Sequence, residues 1–141
     1  MTAKEFLNRG YRLEQRINAK IAQLNALHDL AQKCTSVITG MPGGKNTSAS
    51  RMEETVAKIV DCKNDLTAII DELVDTKKEI AEAIETLPSV DQRLVMEMRY
   101  LGYKSWEDIA ATMFCTDRNV FKLHGKALRN IKIPGITETV Q

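Results

Sequence analysis

At 141 residues the chain is long enough for one ordinary domain, or for a compact module beside an extended one. Hydrophobic residues make up 43%, which permits a core, but only 5% are aromatic, and strands draw on aromatic and β-branched side chains; the composition therefore predicts an all-α fold. A net charge of +1 singles out no partner, and no apolar run nears the roughly 20 residues that span a bilayer, so no membrane association is expected.

Thr2 to Ile38 opens the chain with a periodic segment. Phe6, Gly10, Leu13, Ile17, Ile21, Leu24, Leu27, Ala31, Cys34 and Ile38 follow at steps of three or four, one continuous helical stripe. The fit to strict heptads is imperfect, because four-three alternation puts Lys20 rather than Ile21 on the seam. Met1 to Gly10 lacks the apolar core of a signal peptide. Thr39 to Ser50 follows, with three glycines, a proline and several Ser, Thr and Asn residues, and is expected to be a loop at about 39–50. Its Gly44-Lys45-Asn46 is a poor imitation of a phosphate loop, since no strand precedes it.

A second stripe runs from Ser50, a candidate cap with Glu53 as its partner, to Leu87. Met52, Val56, Ile59, Lys63, Leu66, Ile70, Leu73, Lys77, Ile80, Ile84 and Leu87 keep four-three spacing. This places Lys63 and Lys77 on the seam, with their stems along it and their ammonium groups in water, or as register-setting residues. Two such stripes joined by a short loop predict a long antiparallel, coiled-coil-like hairpin over 1–87, each arm roughly 55 Å long. Arg9, Arg12 and Arg16 would then face the stretch with Asp71, Glu72, Asp75, Glu79 and Glu82. Two helices are a thin structure, and the apolar surface they leave suits a third helix or a second subunit; a homodimer through the hairpin is one such assembly.

From Pro88 the pattern shortens to three helices over 88–133, with 134–141 as a flexible tail. Ser89 and Gln92 form a capping box before Leu94, Val95, Met98 and Leu101, and Gly102 ends that helix. Ser105 and Asp108 cap a helix carrying Trp106, Ile109, Ala110 and Met113. Phe114-Cys115 makes a turn, and Thr116 caps a third helix to Ile131 with Val120, Leu123, Ala127, Leu128 and Ile131 on its buried side. Pro134-Gly135 is its stop.

The spacing within 105–131 is that of a helix-turn-helix. Small Ala110 lets the second helix cross closely, Val120 packs beneath it, and Ile109 and Leu123 seal the joint. Arg118, Asn119, Lys122, Lys126 and Arg129 then share the outward face. Residues 116–132 hold five basic groups (these four cations and Lys132) against one acid, Asp117. Amide and guanidinium groups read base edges, and ammonium groups neutralise phosphate, so these five are the expected contacts to double-stranded DNA.

Leu87-Pro88, Arg93-Leu94, Met98-Arg99-Tyr100, Trp106-Glu107-Asp108-Ile109-Ala110, Asn119-Val120 and Lys126-Ala127-Leu128 resemble region 4 of sigma-70-type factors. The whole chain, opening Thr2-Ala3-Lys4-Glu5-Phe6-Leu7, is closer still to small Firmicutes prophage proteins that join a long helical half to a sigma-region-4-like module. These are related to phage late-transcription and autolysin-regulatory proteins. The resemblance implies a transcription regulator in which Arg118, Asn119, Lys122 and Lys126 hold the recognition-helix contact positions. Two departures stand out. Phe114 occupies a turn position often held by glycine, so the turn must differ or bury the ring, and nothing resembles sigma region 2, which argues against an autonomous sigma factor.

Cys34, Cys62 and Cys115 form no CxxC pair and lack ligand-spaced histidines, which fits small thiols in a reducing cytoplasm rather than disulfides or a metal. His28 and His124 each stand alone, and Trp106 suits interhelical packing. No nucleophile, base or phosphate loop accompanies the acidic residues of 51–88, so neither an enzyme nor a cofactor is expected. The rival to DNA binding is an adaptor that docks on RNA polymerase or another protein through the hairpin and the sigma-like module.

Overall fold

The computed structural model describes residues 1–40 and 45–134, and the regular elements among them are all helical. Helix α1 (Ala3–Gly40) starts at a reciprocal cap: Thr2 N donates to Glu5 Oε2 at 3.0 Å, and Glu5 N to Thr2 Oγ1 at 3.2 Å. It packs with α2 (Lys45–Ile84) as a hairpin. Ion pairs between Arg9 and Glu79 at 2.8 Å and between Lys20 and Asp65 at 3.4 Å show the antiparallel sense anticipated from the charge pattern. Both helices extend further than the turn signals imply. Gly40 still belongs to α1 and Ser50 lies inside α2, so Ser50 caps nothing; residues 41–44 of the expected loop lie outside the described residues. Ser, Thr and Asn cost only a few tenths of a kcal/mol each relative to Ala, which a long helix absorbs.

The chain divides into two compact units, Glu14–Glu72 and Met1–Leu13 with Leu73–Gln141. Within the first, α1 keeps strict four-three alternation: Ile17 is buried, Lys20, Leu24 and Leu27 are half-buried, and Ile21 stands 42% exposed. Lys20 fits because its carbonyl accepts the Cys62 thiol at 3.6 Å and its ammonium reaches Asp65. On α2 the seam runs through Thr55, Ile59, Cys62 and Ile69, with Leu66 half-buried, while Val56, Lys63 and Ile70 are exposed. The expected seam was therefore out of phase at alternate positions, and Lys63 sets no register. Small Thr and Cys side chains let the helices approach closely, and the buried Thr55 hydroxyl is satisfied by donating to the Arg51 carbonyl at 2.8 Å. Ile21, Leu30, Val56, Val60 and Ile70 keep 41–50% of their surface exposed, the apolar remainder expected of two helices alone.

The second unit joins the ends of the hairpin to α3 (Val90–Met96), a π-helical turn (Glu97–Leu101), α4 (Trp106–Thr112) and α5 (Asp117–Asn130). Here too a small residue, Thr76, takes the buried place expected for Lys77. Phe6, Leu7, Ile80, Ala83, Ile84 and Leu87 share one core with Met96, Tyr100, Ala127, Ile131 and Ile133. The hairpin ends thus pack against the three-helix module, an arrangement the periodicities leave open. Val95, Met98, Ile109, Ala110 and Val120 form a second cluster, covered by Trp106, Met113, Cys115 and Leu123. The π turn lets one short segment serve both: Met96 and Tyr100 face the first cluster and Val95 and Met98 the second, while Leu94, expected inside, is 38% exposed. The chain leaving α5 is pinned where Lys132 N donates to Thr86 Oγ1 at 3.1 Å. Of the expected tail 134–141, residues 135–141 lie outside the described residues.

Candidate nucleic-acid interface

The three caps read from the sequence position the helices of this unit. Ser89 Oγ accepts from Gln92 N at 3.3 Å, Ser105 Oγ from Asp108 N at 3.2 Å, and Thr116 Oγ1 from Asn119 N at 3.1 Å. Each satisfies one of the amide groups that a helix start leaves without a partner. Ala110 and Val120 lie buried in one cluster with Ile109, and Leu123 packs against it, as the spacing predicts.

Phe114 resolves in a way the sequence reading does not foresee. It adopts a left-handed backbone, φ 54°, and its ring is 96% exposed. Phe114 N donates to Ala111 O at 3.3 Å and Cys115 N to Ala110 O at 3.0 Å, the paired bonds that close a helix where glycine usually sits. The turn keeps its geometry and bears the strain of a side chain. Phe114→Gly is expected to raise stability by about 1 kcal/mol, read as a higher denaturation midpoint at unchanged m-value. A lower midpoint would mean the ring makes contacts that outweigh its backbone cost.

Beyond this turn, α5 buries Val120, His124 and Ala127 and turns Arg118, Asn119, Lys122, Lys126 and Arg129 to solvent. A helix advances 100° per residue, so these five fall within about a quarter of its circumference, opposite the buried side. Among the described residues none of them is in an ion pair. Four cations and one amide on the outer face of one helix form a surface to which polyanions are attracted.

The underside of α5 is braced by aromatic contacts. Trp106 meets Phe121 edge-on at 5.3 Å and His124 at 4.7 Å, and the Arg99 guanidinium lies 4.3 Å from the Trp106 ring centre. His124 Nε2 and the Tyr100 hydroxyl share a buried hydrogen bond of 2.6 Å. Burial, followed by the charges of Lys4 and Arg99, lowers the His124 pKa to about 4, while burial pushes Tyr100 up to about 12, so both are neutral near pH 7. Sequence reasoning gave these two residues no role. The signal was weak: His124 falls between Val120 and Ala127 on the buried side of the α5 stripe. Among the described residues no group of His, Cys, Asp or Glu is arranged to hold a metal ion, the cysteines are free thiols, and no helix is long and apolar enough to cross a membrane.

A family model described as Protein of unknown function (DUF1492) matches residues 36–132, which take in α2 and the whole three-helix module. No curated protein and no solved structure matches the chain.

Proposed function

Because the chain belongs to the DUF1492 family, whose description assigns no function, we propose on the strength of its own surface that it is a DNA-binding transcription regulator of phage or prophage type. In this reading α4 and α5 act as a helix-turn-helix and α5 enters the major groove. The carrying observation is the outward face of α5: Arg118, Asn119, Lys122, Lys126 and Arg129 exposed together on a helix capped by Thr116 and braced from below by Trp106 and His124. The guanidinium and amide groups suit base edges and the lysines suit phosphate. The resemblance of 87–128 to sigma region 4, and of the whole chain to small Firmicutes prophage proteins, supports the same choice.

Binding of this kind weakens steeply as salt rises, because each neutralised phosphate releases counterions. Lys122→Ala is expected to weaken duplex binding and to lower the slope of log affinity against log salt by about one contact, read by fluorescence anisotropy of the full chain on labelled duplex. The wholly exposed Phe114 favours a second reading, an adaptor that docks on RNA polymerase or another protein. Salt-insensitive capture of polymerase, with no duplex binding even at low salt, would replace the first reading with the second.

A further inference from the structure

A cleft of about 560 Å³ opens between the first turns of α1 and the segment linking the π turn to α4. Tyr11 and Arg12 line it from α1, and Arg99, Tyr100 and Tyr103 line it from the opposite side; the remaining lining residues, Asn8 and Ser105, are neutral. The cleft therefore has two guanidinium groups and no carboxylate on its walls. Arg99 is held in place, with Nη1 donating to the Lys104 carbonyl at 2.9 Å and its plane over Trp106, which leaves most of its N–H donors for a ligand. Arg12 is exposed and in no ion pair among the described residues, whereas Arg9, one turn earlier, is paired with Glu79. The aromatic wall is ordered as well: Tyr11 meets Tyr103 edge-on at 5.8 Å, and the Lys77 ammonium lies 5.0 Å from the Tyr103 ring centre.

Two backbone features set the place of this ring. Tyr103 has a left-handed backbone, φ 56°, a strain of about 1–3 kcal/mol for a residue with a side chain. Gly10, which weakens α1 by about 1 kcal/mol relative to Ala, is the position where a Cβ would stand 3.0 Å from the Tyr103 hydroxyl oxygen. The left-handed residue sits where the backbone closes the π turn, with Gly102 N donating to Glu97 O and Lys104 N to Met98 O, both at 3.0 Å, so the turn aims the ring at α1. The adjacent π turn is a further irregularity of the sort found at binding sites.

We infer that this cleft binds a nucleotide, with Arg12 and Arg99 on its phosphate and the Tyr11 and Tyr103 rings against its base. Guanidinium forks match phosphate oxygens, tyrosine faces stack on bases, and the volume lies within the range that holds small ligands. Free mononucleotides and the exposed end of a single strand offer the same chemistry.

Calorimetric titration of the full chain with AMP, adenosine and inorganic phosphate tests the assignment. AMP should bind saturably, with adenosine and phosphate each weaker by about tenfold or more, since each lacks half the recognised groups. Arg12→Gln should weaken AMP by about tenfold while leaving the melting temperature of the free protein unchanged, because Arg12 is exposed and is in no ion pair among the described residues. Tyr103→Leu, which keeps the backbone strain and removes the ring, should weaken AMP and adenosine but not phosphate. Displacement of bound AMP by a short single-stranded oligonucleotide would assign the site to strand ends, and failure to displace it would assign it to free nucleotides; either supports nucleotide chemistry. Absence of saturable AMP binding, or equal AMP affinity in Arg12→Gln, overturns the inference. Duplex binding through α5 should survive Arg12→Gln, and AMP binding should survive Lys122→Ala, so the two ideas fail separately.

Discussion

Leu7→Ala is expected to cost about 2–5 kcal/mol and to loosen α5 at the far end of the chain. Leu7 is completely buried, in the same cluster as Ala127 and Ile131. Truncation there removes apolar contacts and leaves a cavity in the core that also holds Ala127, Ile131 and Ile133. Denaturant unfolding should give the loss of stability, and hydrogen exchange should show reduced protection of α5 amides. Ile21→Ala, at a position 42% exposed on the same helix, should cost far less and leave α5 protection unchanged. If Leu7→Ala lowered stability with α5 protection intact, the shared core would not be one cooperative unit.

Acid should act on the same unit from below α5. His124 titrates near 4 in the folded chain and near 6.5 when unfolded. Between those values the unfolded state holds more protons, so the stability that His124 contributes is complete above pH 6.5 and is lost as pH falls toward 4. The loss is about 2 kcal/mol once solvent screening is allowed for, and it should stop growing below pH 4. His124→Gln removes the titrating group, and its denaturation midpoint should fall less than the wild type's between pH 6.5 and 4. Parallel decline of the two proteins would assign the acid sensitivity to carboxylates instead. The Tyr100 hydroxyl is the nearest group to respond, since protonated His124 can no longer accept its proton.

The parts of the fold legible in the sequence are those decided within one helical turn. Ser89, Ser105 and Thr116 cap where they were expected to, because a side-chain oxygen and an amide three residues on need no knowledge of the rest of the chain. The α1 stripe was legible too, and its one doubtful position was decided by a neighbour: Lys20 takes the seam over Ile21 because Cys62 and Asp65 stand opposite. The phase of the α2 seam was not legible. Val56 and Thr55 offer similar volume, as do Ile70 and Ile69, and the choice rests on how closely α1 can approach. Hydropathy favours Val56 over Thr55 and does not separate Ile69 from Ile70, and strict four-three spacing passes over Cys62 and Thr76, whereas packing selected Thr55, Cys62, Ile69 and Thr76.

The candidate interface divides in the same manner. The outward face of α5 follows from helical periodicity alone, so Arg118, Asn119, Lys122, Lys126 and Arg129 are legible in the sequence. The π turn, the left-handed backbones of Tyr103 and Phe114, and the Tyr100–His124 bond depend on tertiary contacts that no local pattern encodes. Phe114 illustrates the limit: the missing glycine was visible, but not that the turn would keep its shape and turn the ring outward.

The core that joins Phe6 and Leu7 to Ile131 and Ile133 also bears on how the protein is made. Synthesis proceeds from the N-terminus, so Phe6 and Leu7 leave the ribosome about 125 residues before their partners near residue 131. Pairing of α1 with α2 can begin first and cover part of that surface with Ile80 and Ile84. It also shortens the loop left to close to the stretch after Ile84, a difference of about 1 kcal/mol in closure entropy. The outward face of α5 can therefore be held in place only once Ala127 to Ile133 have emerged, and a nascent chain stalled before then would display a sticky apolar end beside its basic residues.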